Sequence, residues 1–209
     1  MTEMTCSITL AIDILIFDGF DELDAIAPYE VFENARDEGA NLTTRLCTIE
    51  SRDEVTASHG LKVVPDAILE GTSTDILVVP GGGWNSRSSE GAYAEAEKGD
   101  IPGAISRIHA RGATVASVCT GGMLLAAAGI TEGRPATTHA GAVDELRESG
   151  AEVVDARVVD DGNVVTAGGV TSGIDLALWL VEREFSADIA EKVATEMEYK
   201  CSDDVAVYD

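Results

Sequence analysis

Cys119 stands where this chain most plainly invites chemistry. It lies in VASVCTGGMLLAAAGI, residues 115–130, where a β-rich run meets a helical one with only Thr120-Gly121-Gly122 between. A side chain at so abrupt a strand-to-helix corner is forced up from the sheet, while nearby amides point at whatever binds there. The adjacent helix N-terminus places partial positive charge near the sulfur, which predicts a lowered thiol pKa. The string by itself is equally compatible with an inert thiol, because cysteine is among the most buried residue types.

Two other segments bear on that choice. Pro80-Gly81-Gly82-Gly83 closes an apolar run and leaves backbone amides exposed, so Gly82 and Gly83 are candidates to hold an anion or a substrate together with the amide of Thr120. Asp24 opens an apolar helix, where a partly buried carboxylate with a raised pKa could exchange a proton with the thiol. Its plainer use would be to stabilise the helix N-terminus. His139, in Thr137-Thr138-His139, could be a base, a substrate ligand or a hydrogen-bonded structural residue. Trp84 could wall a pocket, and Trp179 reads as core or interface.

The elements that must position these residues follow from periodicity. Residues 8–17 (ITLAIDILIF), 42–49, 76–79 and 114–118 read as strands, and residues 23–38, 101–111, 122–128, 144–149, 172–185 and 187–199 as helices. Residues 153–159 and 163–167 read as a hairpin about a turn at Asp160-Asp161-Gly162. Apolar strands alternating with helices predict an α/β fold, a three-layer α-β-α sandwich around a mostly parallel, flavodoxin-like sheet. Ligands of such sheets bind beyond the carboxyl ends of the strands, where the segments after residues 17, 79 and 118 all fall.

Composition narrows the partners. The 209 residues, 45% of them hydrophobic, fit one domain over residues 1–209. The net charge of -24, from 38 acidic and 14 basic residues, argues against nucleic acid. The acidic residues are scattered over helix faces and turns, and arginine outnumbers lysine ten to four, a composition expected of a halophilic, salt-adapted cytoplasm. The N-terminal stretch has no basic region or cleavage pattern of a signal peptide, and no apolar run approaches a membrane span. Cys6, Cys47, Cys119 and Cys201 form no CxxC pair and have no histidine at ligand spacing, so free thiols and no metal are expected.

Taken together, residues 23–33 (LDAIAPYEVFE), 78–83 (VVPGGG), 117–130 (SVCTGGMLLAAAGI), 136–148 (ATTHAGAVDELRE) and 166–184 (TAGGVTSGIDLALWLVERE) resemble the ThiJ/PfpI superfamily of class I glutamine amidotransferase-like folds, nearly end to end and in the same order. Within it the chain is most similar to isonitrile (isocyanide) hydratases and to the amidotransferase-like domain of certain AraC-type regulators. The resemblance implies Cys119 as nucleophile, Asp24 as its proton-transfer partner and Thr120 beside them. Peptidase-type members place histidine directly after the nucleophile and use glutamate on the first helix, so Thr120 and Asp24 depart from proteolysis. Ala140 stands where the nearer relatives carry an aromatic residue after TTH. What the resemblance implies is hydration of an isonitrile to an N-substituted formamide by a cytoplasmic homodimer, with a small-molecule substrate and no cofactor. A glyoxalase-like activity or a cysteine redox sensor are the alternatives.

Overall fold

In the computed structural model, which describes residues 9–69 and 74–208, the apolar runs assemble into one eight-stranded sheet. The strands are β1 (Leu10–Leu15), β2 (Leu42–Thr48), β3 (Val55–Thr56), β4 (Lys62–Val63), β5 (Ala67–Ile68), β6 (Ile76–Val79), β7 (Thr114–Ser117), β8 (Pro135–Ala136), β9 (Glu152–Val153), β10 (Val158–Asp161), β11 (Val164–Ala167) and β12 (Val205–Val207). The helices are α1 (Glu22–Asp37), α2 (Ala92–Lys98), α3 (Asp100–Ala110), α4 (Gly121–Ala127), α5 (Val143–Glu148), α6 (Ser172–Glu184) and α7 (Ala187–Glu196). Cys6 lies outside the described residues, as does Ile8 of the expected first strand.

The main sheet runs β12-β10-β11-β7-β6-β1-β2-β5, with every neighbouring pair parallel except the hairpin β10–β11. The small pairs β3–β4 and β8–β9 stand apart from it. β6 and β11 are buried along their whole length, as strands covered on both faces must be. Helices α1, α6 and α7 pack together on one face and α2, α3, α4 and α5 on the other, which completes the expected three layers. No helix among the described residues is long and apolar enough to cross a membrane.

One expected element is placed differently. The run 153–159 divides: Glu152–Val153 pairs with Pro135–Ala136, and the hairpin strand begins at Val158 and carries through Asp161. Asp160 was expected in the turn. It is buried in β10 because Trp179 Nε1, at 2.7 Å, and Arg183 Nη1, at 3.0 Å, donate to its Oδ2, and the turn moves to Gly162 and Asn163.

β7, β6 and β1 are adjacent, so the segments that leave their carboxyl ends meet at one edge of the sheet. The order also reverses there, since β2 follows β1 on one side and β6 returns on its other side. The three stretches singled out by residue type therefore converge at the switch point of the sheet.

Candidate active site

Cys119 occupies the corner between β7 and α4 with a φ of +56°, a left-handed conformation that a non-glycine residue adopts only when its surroundings hold it there. Three contacts do so. Its N–H donates to Gly168 O at 2.9 Å and to Ala167 O at 3.2 Å, and its carbonyl accepts from Thr138 Oγ1 at 2.8 Å. The neighbouring strap is strained as well: Val170 has a φ of +38°, rare for a β-branched residue, and its N–H faces the Cys119 sulfur. The amide of Thr120 faces the sulfur too.

Asp24 sits in the first turn of α1, fully buried. It is not the helix cap, because Asp21 fills that role by accepting from the Leu23 N–H. Pro28, four residues on, has no N–H for the Asp24 carbonyl, so the helix carries an interior break beside the site. Asp24 Oδ2 accepts from the Gly81 N–H at 2.9 Å. Oδ1 is buried without a hydrogen-bond partner of ordinary geometry among the described residues, and the Cys119 thiol lies close enough to draw the carboxyl pKa down. Burial first, and the Asp21 carboxylate second, outweigh that pull and hold the Asp24 pKa at about 7.

The thiol departs from expectation in direction. Burial, and then repulsion from the Asp24 carboxylate, push Cys119 up to about 12, against the opposing pull of the Val170 and Thr120 amides. The helix end is present through the Thr120 amide, but with the Val170 amide of the strap it acts on a nearly inaccessible sulfur beside a carboxylate, and desolvation wins. Asp24 and Cys119 thus compete for a single negative charge. The resting pair is a thiol beside a carboxyl group poised to gain or lose a proton at neutral pH.

The glycine turn is shaped for close approach rather than for an open anion hole. Gly82 N–H, expected to face an anion, donates to Thr120 Oγ1 at 3.0 Å. A Cβ on Gly81 would overlap the backbone and hydroxyl of Thr120, so only glycine lets the Pro80–Gly83 loop lie against the start of α4. Gly82, Gly83, Asp21, Trp84, Asn85, Ser86, Cys119, Thr120, His139 and Val170 line a cleft of about 230 Å³. Trp84 does wall it. The indole N–H donates to Glu145 at 3.2 Å, and Arg87, paired to the same carboxylate at 2.8 Å, lies over the rings of Trp84 and Tyr93. Trp179 stands away from this cleft, tied to Asp160.

The structure therefore brings Cys119, Thr120, Gly82, Gly83 and His139 to one cleft, with Asp24 buried beneath the thiol. Thr138, Gly168, Val170 and Asn85 join them without having been singled out. TTH and AGGV stood in the sequence, but the hydroxyl that pins the elbow and the strained valine have no local signature.

Known proteins resemble this chain in sequence and in fold. Residues 11–183 match the model of the DJ-1/PfpI family. The chain is 36% identical over 191 residues to the isonitrile hydratase of Pseudomonas putida, covering 91% of this chain and 78% of that one. It is 33% identical over 175 residues to a deglycase of Pyrococcus abyssi, covering 82% and 95%. Among solved structures, a ThiJ/PfpI family protein from Pseudomonas syringae superposes with a TM-score of 0.80 at 30% identity, over 93% of this chain and 76% of that one.

Proposed function

The chain belongs to the DJ-1/PfpI family, and on that premise we propose that it is a cysteine-dependent enzyme that hydrates isonitriles, R–N≡C, to N-substituted formamides. The observation that carries this reading is the Asp24 carboxyl: buried, with a pKa of about 7 and one oxygen left without an ordinary partner, beside the only thiol in the cleft among the described residues. Hydration of an isonitrile requires a nucleophile and a group that both gives and takes protons at one carbon. A carboxyl group titrating near neutrality does both.

In the first step protonated Asp24 delivers its proton to the terminal isonitrile carbon, and the Cys119 sulfur bonds to that carbon as it becomes electrophilic. The thiol proton passes to the carboxylate just formed, which leaves a thioimidate, R–N=CH–S, and restores Asp24. The high thiol pKa makes this sequence necessary, since free thiolate is scarce at rest and the sulfur must lose its proton as it attacks. In the second step Asp24 gives its proton to the thioimidate nitrogen and then, as the carboxylate, takes one from water as the oxygen attacks the thioimidate carbon. Collapse of the tetrahedral R–NH–CH(OH)–S species breaks the C–S bond, releases R–NH–CHO and returns the proton to sulfur. The N–H groups of Thr120 and Val170, already aimed at the sulfur, stabilise charge as it develops there. The Thr120 hydroxyl, fixed by the Gly82 N–H, stands beside the pair.

A second reading is a glyoxalase-like or deglycase-type reaction with the same thiol, favoured by the likeness to the Pyrococcus abyssi deglycase. Asp24, in place of a first-helix glutamate, weighs toward hydration. The redox-sensor alternative needs a low-pKa, accessible thiol, whereas this one is buried and pushed up to about 12. The discriminating assay is turnover of an aryl isonitrile and of methylglyoxal side by side in high salt. Formamide from the first at a rate well above that of lactate from the second is the expected result, and the reverse order would overturn it.

A further inference from the structure

His139 has a defined direction. It precedes the short 3-10 turn at Ala140–Ala142 and caps it: the Gly141 N–H donates to Nδ1 at 3.0 Å. The Asn85 side-chain amide lies 3.2 Å from the same nitrogen. Both are donors, so Nδ1 is the acceptor and the ring proton of the neutral imidazole resides on Nε2. The pairing is built in by a glycine, because a Cβ at position 141 would strike the Asn85 amide. The far edge of the ring lies against Gly169, next to the Val170 strap, and His139 lines the cleft with Asn85, while Nε2 has no partner among the described residues.

We propose that His139 is a specificity-determining residue whose Nε2–H donates a hydrogen bond to an acceptor oxygen of the bound substrate, so that the preferred isonitriles carry a carbonyl or carboxylate oxygen near the isonitrile group. A ring whose Nδ1 already accepts from two donors, and whose Nε2 carries its proton, is oriented to give a hydrogen bond rather than to abstract a proton. Asn85 is a positioning residue that acts through it. The substrate class rests on the hydratase reading; the direction of the ring does not.

The test compares methyl isocyanoacetate, which carries an ester oxygen, with cyclohexyl isonitrile, which carries no acceptor. For His139→Phe, KM for the ester should rise by about 2- to 12-fold more than KM for the cyclohexyl substrate, the range of one neutral hydrogen bond, on top of whatever change the altered cleft wall imposes on both. Equal effects on both substrates, or none on either, would overturn the proposal. Long-range proton–nitrogen spectra of the wild-type protein should show His139 as the Nε2–H tautomer, and the Nδ1–H tautomer would also overturn it. Asn85→Ala supplies a second variant should His139→Phe not fold, with the same selective rise in KM expected. If the wild-type protein turns over neither isonitrile, the hydratase reading fails separately. Titration with N-cyclohexylformamide then decides the donor: a shift of the Nε2 resonance supports it, and no shift counts against it.

Discussion

Replacing Asp24 by asparagine should make the protein more stable and the enzyme far slower, and the two effects have one cause. In the folded state burial holds the carboxyl at about 7, against an ordinary value of 3.8. A group whose folded pKa is raised binds its proton more tightly in the native state, so below pH 3.8 it contributes no penalty. As pH rises from 3.8 to 7 the unfolded chain releases that proton and the folded one must still hold it, and folding is progressively disfavoured. At about 1.4 kcal/mol per pH unit the full penalty is about 4 kcal/mol, reached above pH 7. Asparagine keeps an oxygen for the Gly81 N–H and carries no charge, so Asp24→Asn should match the wild type near pH 4 and exceed it in chemical denaturation by up to about 4 kcal/mol at pH 8. With the carboxylate gone the Cys119 thiol should titrate at lower pH, seen in thiolate absorbance, because that charge is the second cause of its high pKa. Turnover should nonetheless fall by about 10²- to 10⁴-fold, since the proton shuttle is lost. A variant less stable than wild type at pH 8, or slowed merely twofold, would refute the reasoning.

Thr138→Val removes the hydroxyl that holds the Cys119 carbonyl and should cost about 1 kcal/mol, a melting temperature lower by about 2–4 °C, with kcat falling more than KM changes. Gly81→Ala forces a methyl group into Thr120 and should destabilise by about 1–3 kcal/mol while shifting the start of α4, read as lost activity even where the protein folds. The charge of -24 should make the melting temperature rise between dilute buffer and molar potassium chloride, and a flat response would remove the case for salt adaptation.

Much of the frame was legible because burial writes itself into strands. ITLAIDILIF, ILVV and TVASV are mainly apolar, β-rich runs, and each is followed by glycine or a polar corner, so their order and the edge carrying the chemistry could be inferred. The helix Ala92–Lys98 was not legible, since AYAEAEK buries little beyond Ala92 and has no apolar stripe to detect. The edge strands Val55–Thr56, Lys62–Val63, Ala67–Ile68 and Val205–Val207 are too short for a period to register. Asp160 looked like a turn residue because its partners, Trp179 and Arg183, lie about twenty residues away. The sign of the thiol shift failed for a related reason: the helix end is a local feature, whereas the depth of burial and the approach of Asp24 belong to the assembled sheet. Val170 shows the limit from the other side, since its type argues against the positive φ that the Gly168–Gly169 strap imposes on it.

In the proposed reaction Cys119 forms a bond to the isonitrile carbon and Asp24 moves the protons. Intact-protein mass spectrometry of the wild-type protein, mixed with an aryl isonitrile and quenched in acid during turnover, tests this. An adduct of one substrate mass on Cys119 is expected, strongly diminished with Asp24→Asn because the proton that opens the first step is lost, with neither adduct nor formamide from Cys119→Ala. Formamide produced by Cys119→Ala at the wild-type rate would contradict it.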